Sequence, residues 1–165
     1  MGKRVRLKQG DIFRFELDEA RYGLGQIIEP GMVFYMTVLR TPVGHDFVLE
    51  TVDTRDILLC GRSTDALFFH DRWHVIGSLP VPEDYIPRPC AKVTREGGPW
   101  VVDFHGEAVR PATPVEWELL DYQGSRSPIA YQDAFKAHHG VGEMKAHYEK
   151  LRIEHMRAQA ALCSL

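Results

Sequence analysis

The densest group of side chains that could move a proton near neutral pH lies in the middle of the chain. His70 and His74 flank Asp71 within five residues. A histidine beside a carboxylate can act as a general base when a nucleophile or substrate lies close by. If this segment is a strand, His74 shares a face with Arg72 while Trp73 points to the opposite side. The simpler interpretation is that Trp73 anchors a core and its polar neighbours are solvated, so the role of the cluster stays open.

Other catalytic signatures are missing from the sequence. None of the five serines lies in a G-x-S-x-G nucleophile motif, and there is no phosphate-binding P-loop. Gly23 and Gly25 form only a fragment of a dinucleotide-binding fingerprint. They lie inside a strand pattern, where glycine more often marks a bend or a close backbone approach. We therefore expect no enzyme activity, no cofactor and no catalytic residues.

Metal-ligand spacing is equally weak. Glu143, His147 and His155 would lie along one side of a helix, but the two histidines are two turns apart, a rise of about 12 Å. That separation is too long for both to reach one zinc ion. The three cysteines, Cys60, Cys90 and Cys163, are odd in number and far apart in sequence, which favours neither a disulfide framework nor a zinc site. We expect no metal.

Composition and charge narrow the class of protein further. The chain has 165 residues, 44% of them hydrophobic, and a formal net charge of −3. These values are typical of a soluble globular protein. The longest dense apolar run, Met32 to Leu39, is far shorter than the roughly 20 residues that span a bilayer. With no secretory leader pattern, we expect a cytoplasmic protein that does not enter a membrane.

The first 120 residues show the period of two that is typical of strands. Phe13, Phe15 and Leu17 fall on one face, and Arg14 and Glu16 fall on the other. Pro30-Gly31 is a turn signal. Short connections between successive runs favour an antiparallel arrangement. The predicted strands are Ile12–Leu17, Arg21–Glu29, Met32–Arg40, Arg72–Ser78, Lys92–Arg95, Pro99–His105 and Glu107–Arg110. The segment Asp46–Arg62 could hold a short helix around Thr54 followed by one more strand.

The last 40 residues change to a helical period. Ser127-Pro128 predicts a helix start, and Gly140 predicts the end of a helix over Ile129–His139. A second, amphipathic helix is predicted over Glu143–Leu162. The fold class is therefore α+β, with a curved antiparallel sheet or partly open β-barrel and two C-terminal helices. We expect a single domain over residues 1–165, with residues 1–120 mainly β and residues 126–165 a helical extension packed on it.

A basic N-terminus supports one binding function. Four of the first eight residues are Lys or Arg, and aromatic residues follow at Phe13, Phe15, Tyr22, Phe34 and Tyr35. A small β-barrel with a basic arm and exposed aromatic side chains could bind single-stranded nucleic acid. The alternation places Phe13 and Phe15 on the face expected to be buried, and the net charge is acidic. This interpretation is therefore an alternative.

Acidic residues in the predicted loops favour a different partner. Loops carry interaction surfaces more often than regular elements do, and carboxylates could steer the approach of a basic protein. Ordinary solvation is the competing interpretation. The candidate partner-binding residues are Asp18, Glu19, Asp53, Asp56, Asp71, Glu83 and Asp84.

Three short motifs in a fixed order resemble a known family. They are Gly10-Asp11-Ile12-Phe13, Tyr22-Gly23-Leu24-Gly25 and Trp73-His74-Val75-Ile76-Gly77, and a stretch with four prolines between Pro80 and Pro89 follows. This order is similar to that of the immunity protein 26 family of bacterial polymorphic toxin systems. The resemblance covers about Val5 to Lys92.

The resemblance implies a protein without enzyme activity that neutralises a cognate toxin, often a nuclease, by binding it. We expect it to act by occluding the toxin's active site or substrate surface. No catalytic residues carry over from the family. We expect no membrane partner, and the oligomeric state stays open. The motif positions are expected to be structural: Gly10, Asp11, Phe13, Tyr22, Gly23, Gly25, Trp73, Ile76 and Gly77.

Overall fold

The structure, a computed structural model, describes residues 2–163. Backbone contacts divide the chain into two compact units. The first comprises the chain up to Tyr85 together with Ser125–Ile153, and the second comprises Ile86–Gly124 together with the chain from Glu154 onward. Single-domain behaviour over residues 1–165 stays a prediction.

The first unit contains a six-stranded antiparallel sheet. Its spatial order is β5-β3-β2-β1-β6, with β4 paired to β2. The end strands β5 and β6 do not pair with each other, so the described strands do not close into a barrel. The strands are β1 (Asp11–Glu16), β2 (Arg21–Glu29), β3 (Val33–Leu39), β4 (Val43–Gly44), β5 (Ile57–Thr64) and β6 (His74–Ser78).

The strand periodicity seen in the sequence has a direct structural counterpart. In β1, Phe13 and Phe15 are buried, while Arg14 is half-buried and Glu16 is exposed. β2 begins and ends at the predicted residues. The third run is apolar on both faces because β3 lies between β2 and β5 and is buried on both sides.

An aromatic core fills the inner face of this sheet. Phe13 stacks on Trp73 with ring centroids 4.8 Å apart, and Phe15 meets Phe135 edge to face at 5.2 Å. Such offset and edge-to-face pairs are favoured by the ring quadrupole. Other members of the cluster are Leu17, Ile27, Phe34, Met36, Phe68, Tyr131 and Leu151.

The first C-terminal helix, which spans Pro128–His138, covers this core. The side chain of Ser127 accepts a hydrogen bond from the backbone N–H of Ile129, and proline occupies the first turn. Gly140 follows with φ +82°, a conformation that favours glycine. The predicted start and end of this helix are confirmed.

The predicted helix over Glu143–Leu162 is wrong. Ala146–Leu151 is a 3₁₀ segment, and an α-helix begins only at Ile153 and ends at Ala161. Between them Arg152 is extended and forms a bridge with Leu59 of β5. Backbone groups at the β5 edge of the sheet pair with Arg152, and this tertiary pairing outweighs the helical period of the sequence. Met144 and Ala158, two apolar residues within the predicted amphipathic helix, are exposed.

The second unit contains a three-stranded antiparallel sheet in the order β7-β8-β9, formed by β7 (Ala91–Arg95), β8 (Gly98–Val102) and β9 (Ala108–Pro111). A disulfide joins Cys90 to Cys163, and Cys90 packs with Val101 and Leu120 in a small core. The expectation that the cysteines form no disulfide is wrong. The 73-residue separation of the pair gave no sequence signal for it.

The α+β class with antiparallel sheets and two C-terminal helices is confirmed. Numbered in chain order, the α-helices are α1 (Ala66–Phe69), α2 (Pro114–Leu119), α3 (Pro128–His138) and α4 (Ile153–Ala161). The sequence did not predict α1 or α2. Instead of a helix near Thr54, a 3₁₀ turn lies at Leu49–Thr51.

Candidate functional site

Two loop segments of the first unit meet beside the end of β6. The guanidinium of Arg55 lies 5.8 Å from the ring centre of Tyr85, and Leu49 lies directly against the backbone of Gly77. We define the acidic loop surface as residues 45–56 and 79–85. It contains Asp53, Asp56, Glu83 and Asp84 of the predicted partner-binding set.

The acidic loop surface is more negative than the molecule as a whole. Its two segments contain six carboxylates and one guanidinium, a formal charge of −5, whereas the whole chain carries −3. Asp46, Glu50 and Asp84 are exposed. A surface of this kind attracts a basic partner and speeds its approach.

Local ion pairs fix the positions of two carboxylates on this surface. Arg55 donates to Asp53 from both its side chain and its backbone, at 3.0 Å in each case. These hydrogen bonds lower the pKa of Asp53 and raise the pKa of Arg55. Asp56 accepts a hydrogen bond from Thr41 at 2.8 Å and lies 3.5 Å from Arg40. Both carboxylates are thus held in place by neighbouring side chains.

Apolar groups interrupt the acidic loop surface. Tyr85 is 47% exposed and Val48 is 55% exposed. An aromatic side chain within a polar surface is a common anchor in protein–protein interfaces. An open groove of about 470 Å³ adjoins the acidic loop surface, and Ser78, Pro80 and Glu83 are among the residues that line it.

Two other predicted partner-binding residues lie in the β1–β2 turn. Asp18 accepts hydrogen bonds from the backbone of Ala20 and Arg21 and from the Arg21 guanidinium. The guanidinium bond is the main reason why the pKa of Asp18 is lowered. Glu19 is exposed, and its carbonyl bonds the ring of His45 at 3.1 Å. In this turn Asp18 stabilises the local backbone.

The histidine cluster forms one exposed pair. His74 Nε2 lies 2.9 Å from Asp71, whose side chain is 91% exposed. Asp71 has φ +58°, in the left-handed region, and His70 contacts the ring of Phe69. Among residues 2–163, no three His, Cys, Asp or Glu side chains converge as metal ligands would.

The family-motif residues lie in and around the aromatic core. Phe13 and Trp73 are fully buried, whereas Ile76 and Gly77 are half-buried. Asp11 accepts a hydrogen bond from the backbone of Lys8 at 2.8 Å, close to Gly10. Tyr22 is half-buried under the guanidinium of Arg14, 4.7 Å from its ring centre. Gly23 and Gly25 face the rings of Phe15 and Phe13.

The N-terminal segment does not form a free basic arm along its whole length. Val5 and Leu7 pack against the aromatic core, and the backbone N–H of Lys3 donates to the carbonyl of Phe69. The aromatic residues that could have stacked on bases are buried at Phe13, Phe15, Phe34 and Tyr35. Those four rings are not available to a nucleic acid.

Sequence reasoning missed a buried polar row on the other face of the larger sheet. Gln26 and Thr37 are cross-strand partners and are fully buried. Gln26 Nε2 donates to the carbonyl of Leu79 at 2.8 Å, but Gln26 Oε1 and Thr37 Oγ1 have no hydrogen-bond partner among residues 2–163. The link between Arg55 and Tyr85 was also missed, because only the fold brings these residues together.

Within the described residues, no helix is long and apolar enough to cross a membrane.

Comparison with known protein families identifies the family of this chain. The family model described as Immunity protein 26 matches residues 8–99, more than half of the chain. No curated protein and no solved structure matches the chain. The matched range contains the three ordered motifs, the larger sheet and the acidic loop surface, and the chain therefore belongs to the immunity protein 26 family.

Proposed function

We propose that this protein binds a cognate bacterial toxin of a polymorphic toxin system and neutralises it by occluding the surface on which the toxin works. The observation that carries the proposal is the acidic loop surface within the family-matched part of the chain. Its charge of −5 and its exposed Tyr85 suit a basic protein partner with a pocket for an aromatic ring.

A basic partner is the expected chemistry for a toxin that acts on a polyanion. A nuclease binds the phosphate backbone of its substrate through Lys and Arg. A negative surface seated on those groups would exclude the substrate without any chemistry. The proposed action is therefore stoichiometric binding in the cytoplasm, with no catalytic residue and no cofactor.

Co-expression with the product of the adjacent toxin-like gene tests this proposal. We expect the two proteins to co-purify and the cells to survive, whereas cells that express the toxin alone die. A titration of toxin activity should reach complete inhibition near one equivalent of this protein. Survival without a complex would contradict occlusion and favour an enzyme that reverses the damage. If the cells die and no complex forms, the result contradicts the proposal for that partner.

A further inference from the structure

The two ends of the larger sheet differ in how they are covered. At β5, Leu59 forms a bridge with Arg152, and the N–H of Arg126 donates to the carbonyl of Arg62. At the opposite end, β6 pairs with β1 on one side only. Within residues 2–163, no backbone group bonds the outer edge of β6. The chain therefore protects one sheet edge and leaves the other open.

The hydrogen-bond pattern shows which groups of β6 face outward. The N–H of Leu79 donates to the carbonyl of Gly10 at 3.0 Å, and bonding alternates along an antiparallel pair. The next pair, Asp11 with Ser78, is consequently a non-hydrogen-bonded pair of the ladder. The N–H and C=O of Ser78 therefore point away from β1.

A second outward-facing position follows along the strand. Phe13 lies two residues beyond Asp11 on β1, so it belongs to the next pair of the same type, and its partner is Val75. A β-bulge at Ile76 accounts for the extra residue on β6. Val75 and Ser78 thus offer two sets of unpaired backbone groups along the open edge.

The side chains of β6 do little to protect this edge. Natural sheet edges are usually blunted by lysine, proline or bulges. The sequence of β6 is HVIGS, which contains no Lys, Arg, Asp or Glu and no proline. Val75 is 37% exposed. Only the bulge limits the length of strand that could be added.

The open edge runs into the acidic loop surface. Leu49 of that surface lies against Gly77, and the groove beyond Ser78 is lined by Pro80 and Glu83. A segment paired along β6 would pass directly from backbone hydrogen bonds to carboxylates. This continuity favours an extended segment that carries Lys or Arg at one end.

We infer that β6 receives an extended basic segment of the toxin as an added strand of the sheet. Main-chain hydrogen bonds would supply affinity, and the acidic loop surface would select the basic residues that follow. The inference deepens the proposed function and depends on it.

A proline substitution at the open edge tests this inference. Val75→Pro removes the outward N–H but no hydrogen bond to β1, so we expect an unchanged melting temperature and at least tenfold weaker binding of the adjacent-gene toxin. Val75→Thr keeps both the N–H and the branched shape, and it should bind like the wild type. Equal affinity of folded Val75→Pro and wild type would overturn the inference while the proposed function stands.

Hydrogen exchange in the wild-type protein gives a readout that needs no substitution. The amides of Val75 and Ser78 should exchange quickly in the free protein and at least tenfold more slowly in the toxin complex. Fast exchange in the complex would contradict strand addition. A wild-type dimer that Val75→Pro dissociates would assign the edge to a second copy of this chain and overturn the inference. Absence of any wild-type complex would contradict both proposals.

Discussion

The ring of Phe13 lies across the backbone of Gly25, its partner on the neighbouring strand. A Cβ at Gly25 would lie 2.2 Å from Phe13 Cζ. Trp73 stacks on the same ring at 4.8 Å, so Phe13 is in contact with residues of the other two family motifs. The three motifs are separate in the sequence, and the fold brings them together at one ring.

Gly25→Ala should destabilise the protein by about 1–3 kcal/mol because the methyl group overpacks against Phe13. Chemical denaturation followed by Trp fluorescence measures this change. Gly44→Ala is the matched control, since no atom lies within 4 Å of a Cβ there. We expect the control to change the free energy of unfolding by less than about 0.5 kcal/mol. A tolerated Gly25→Ala would show that the Phe13 ring can move aside.

Thr37→Val should stabilise the protein by about 1 kcal/mol, because it removes a buried hydroxyl that no described residue of the protein hydrogen-bonds. Thr41→Val is the control. The Thr41 hydroxyl donates to Asp56, so its removal should give a loss of about 0.5–1 kcal/mol. Equilibrium unfolding of both variants decides the sign. A destabilised Thr37→Val would indicate an internal water bound to the hydroxyl.

Charge reversal on the acidic loop surface should weaken toxin binding. We expect Glu50→Lys with Asp84→Lys to lower affinity at least tenfold in low salt, and less at high ionic strength, because exposed charges are screened. Glu96→Lys with Glu118→Lys makes the same change in net charge in the second unit. Calorimetric titration at two salt concentrations compares the pairs. Equal losses from both would mean that net charge alone, and not this surface, governs binding.

The disulfide should stabilise the second unit. Closing a loop of this length restricts the unfolded chain and contributes up to about 4 kcal/mol. We expect reduction to speed amide exchange in α4 more than in β1 to β3. The Cys90→Ser, Cys163→Ser double variant should resemble the reduced protein and show no further response to reductant. Because cytoplasmic thiols keep such pairs reduced, the proposed compartment would favour the less stable form.

Acid should weaken the second unit through Glu116. Hydrogen bonds from Arg110 lower the pKa of Glu116 from 4.5 to about 2. This depressed pKa stabilises the folded state fully above pH 4.5, and the contribution is lost as pH falls from about 4.5 to about 2. Across this range the melting temperature of Glu116→Gln should depend less on pH than that of the wild type. Arg110→Met should reduce the pH dependence of the melting temperature similarly. If both variants keep the pH dependence of the wild type, the result contradicts this linkage.

Local signals in the sequence were sufficient for many elements. The run Arg21–Glu29 was predicted as a strand and forms β2 with those bounds, and Gly140 marked the end of α3. These features depend on neighbouring residues alone. The helix predicted over Glu143–Leu162 failed because Arg152 pairs with Leu59, a contact that no helical period encodes. The partner-binding role of the acidic residues stays a prediction.

The sequence by itself determined the α+β class, most strand positions and the family, because periodicity, turn residues and ordered motifs are local patterns. Only the tertiary structure decided that Arg55 meets Tyr85, that Cys90 pairs with Cys163, and that the outer edge of β6 is unpaired within residues 2–163. Each of these depends on strand order and on loops that meet across long sequence separations. Side-chain type and spacing carry no direct signal for such contacts.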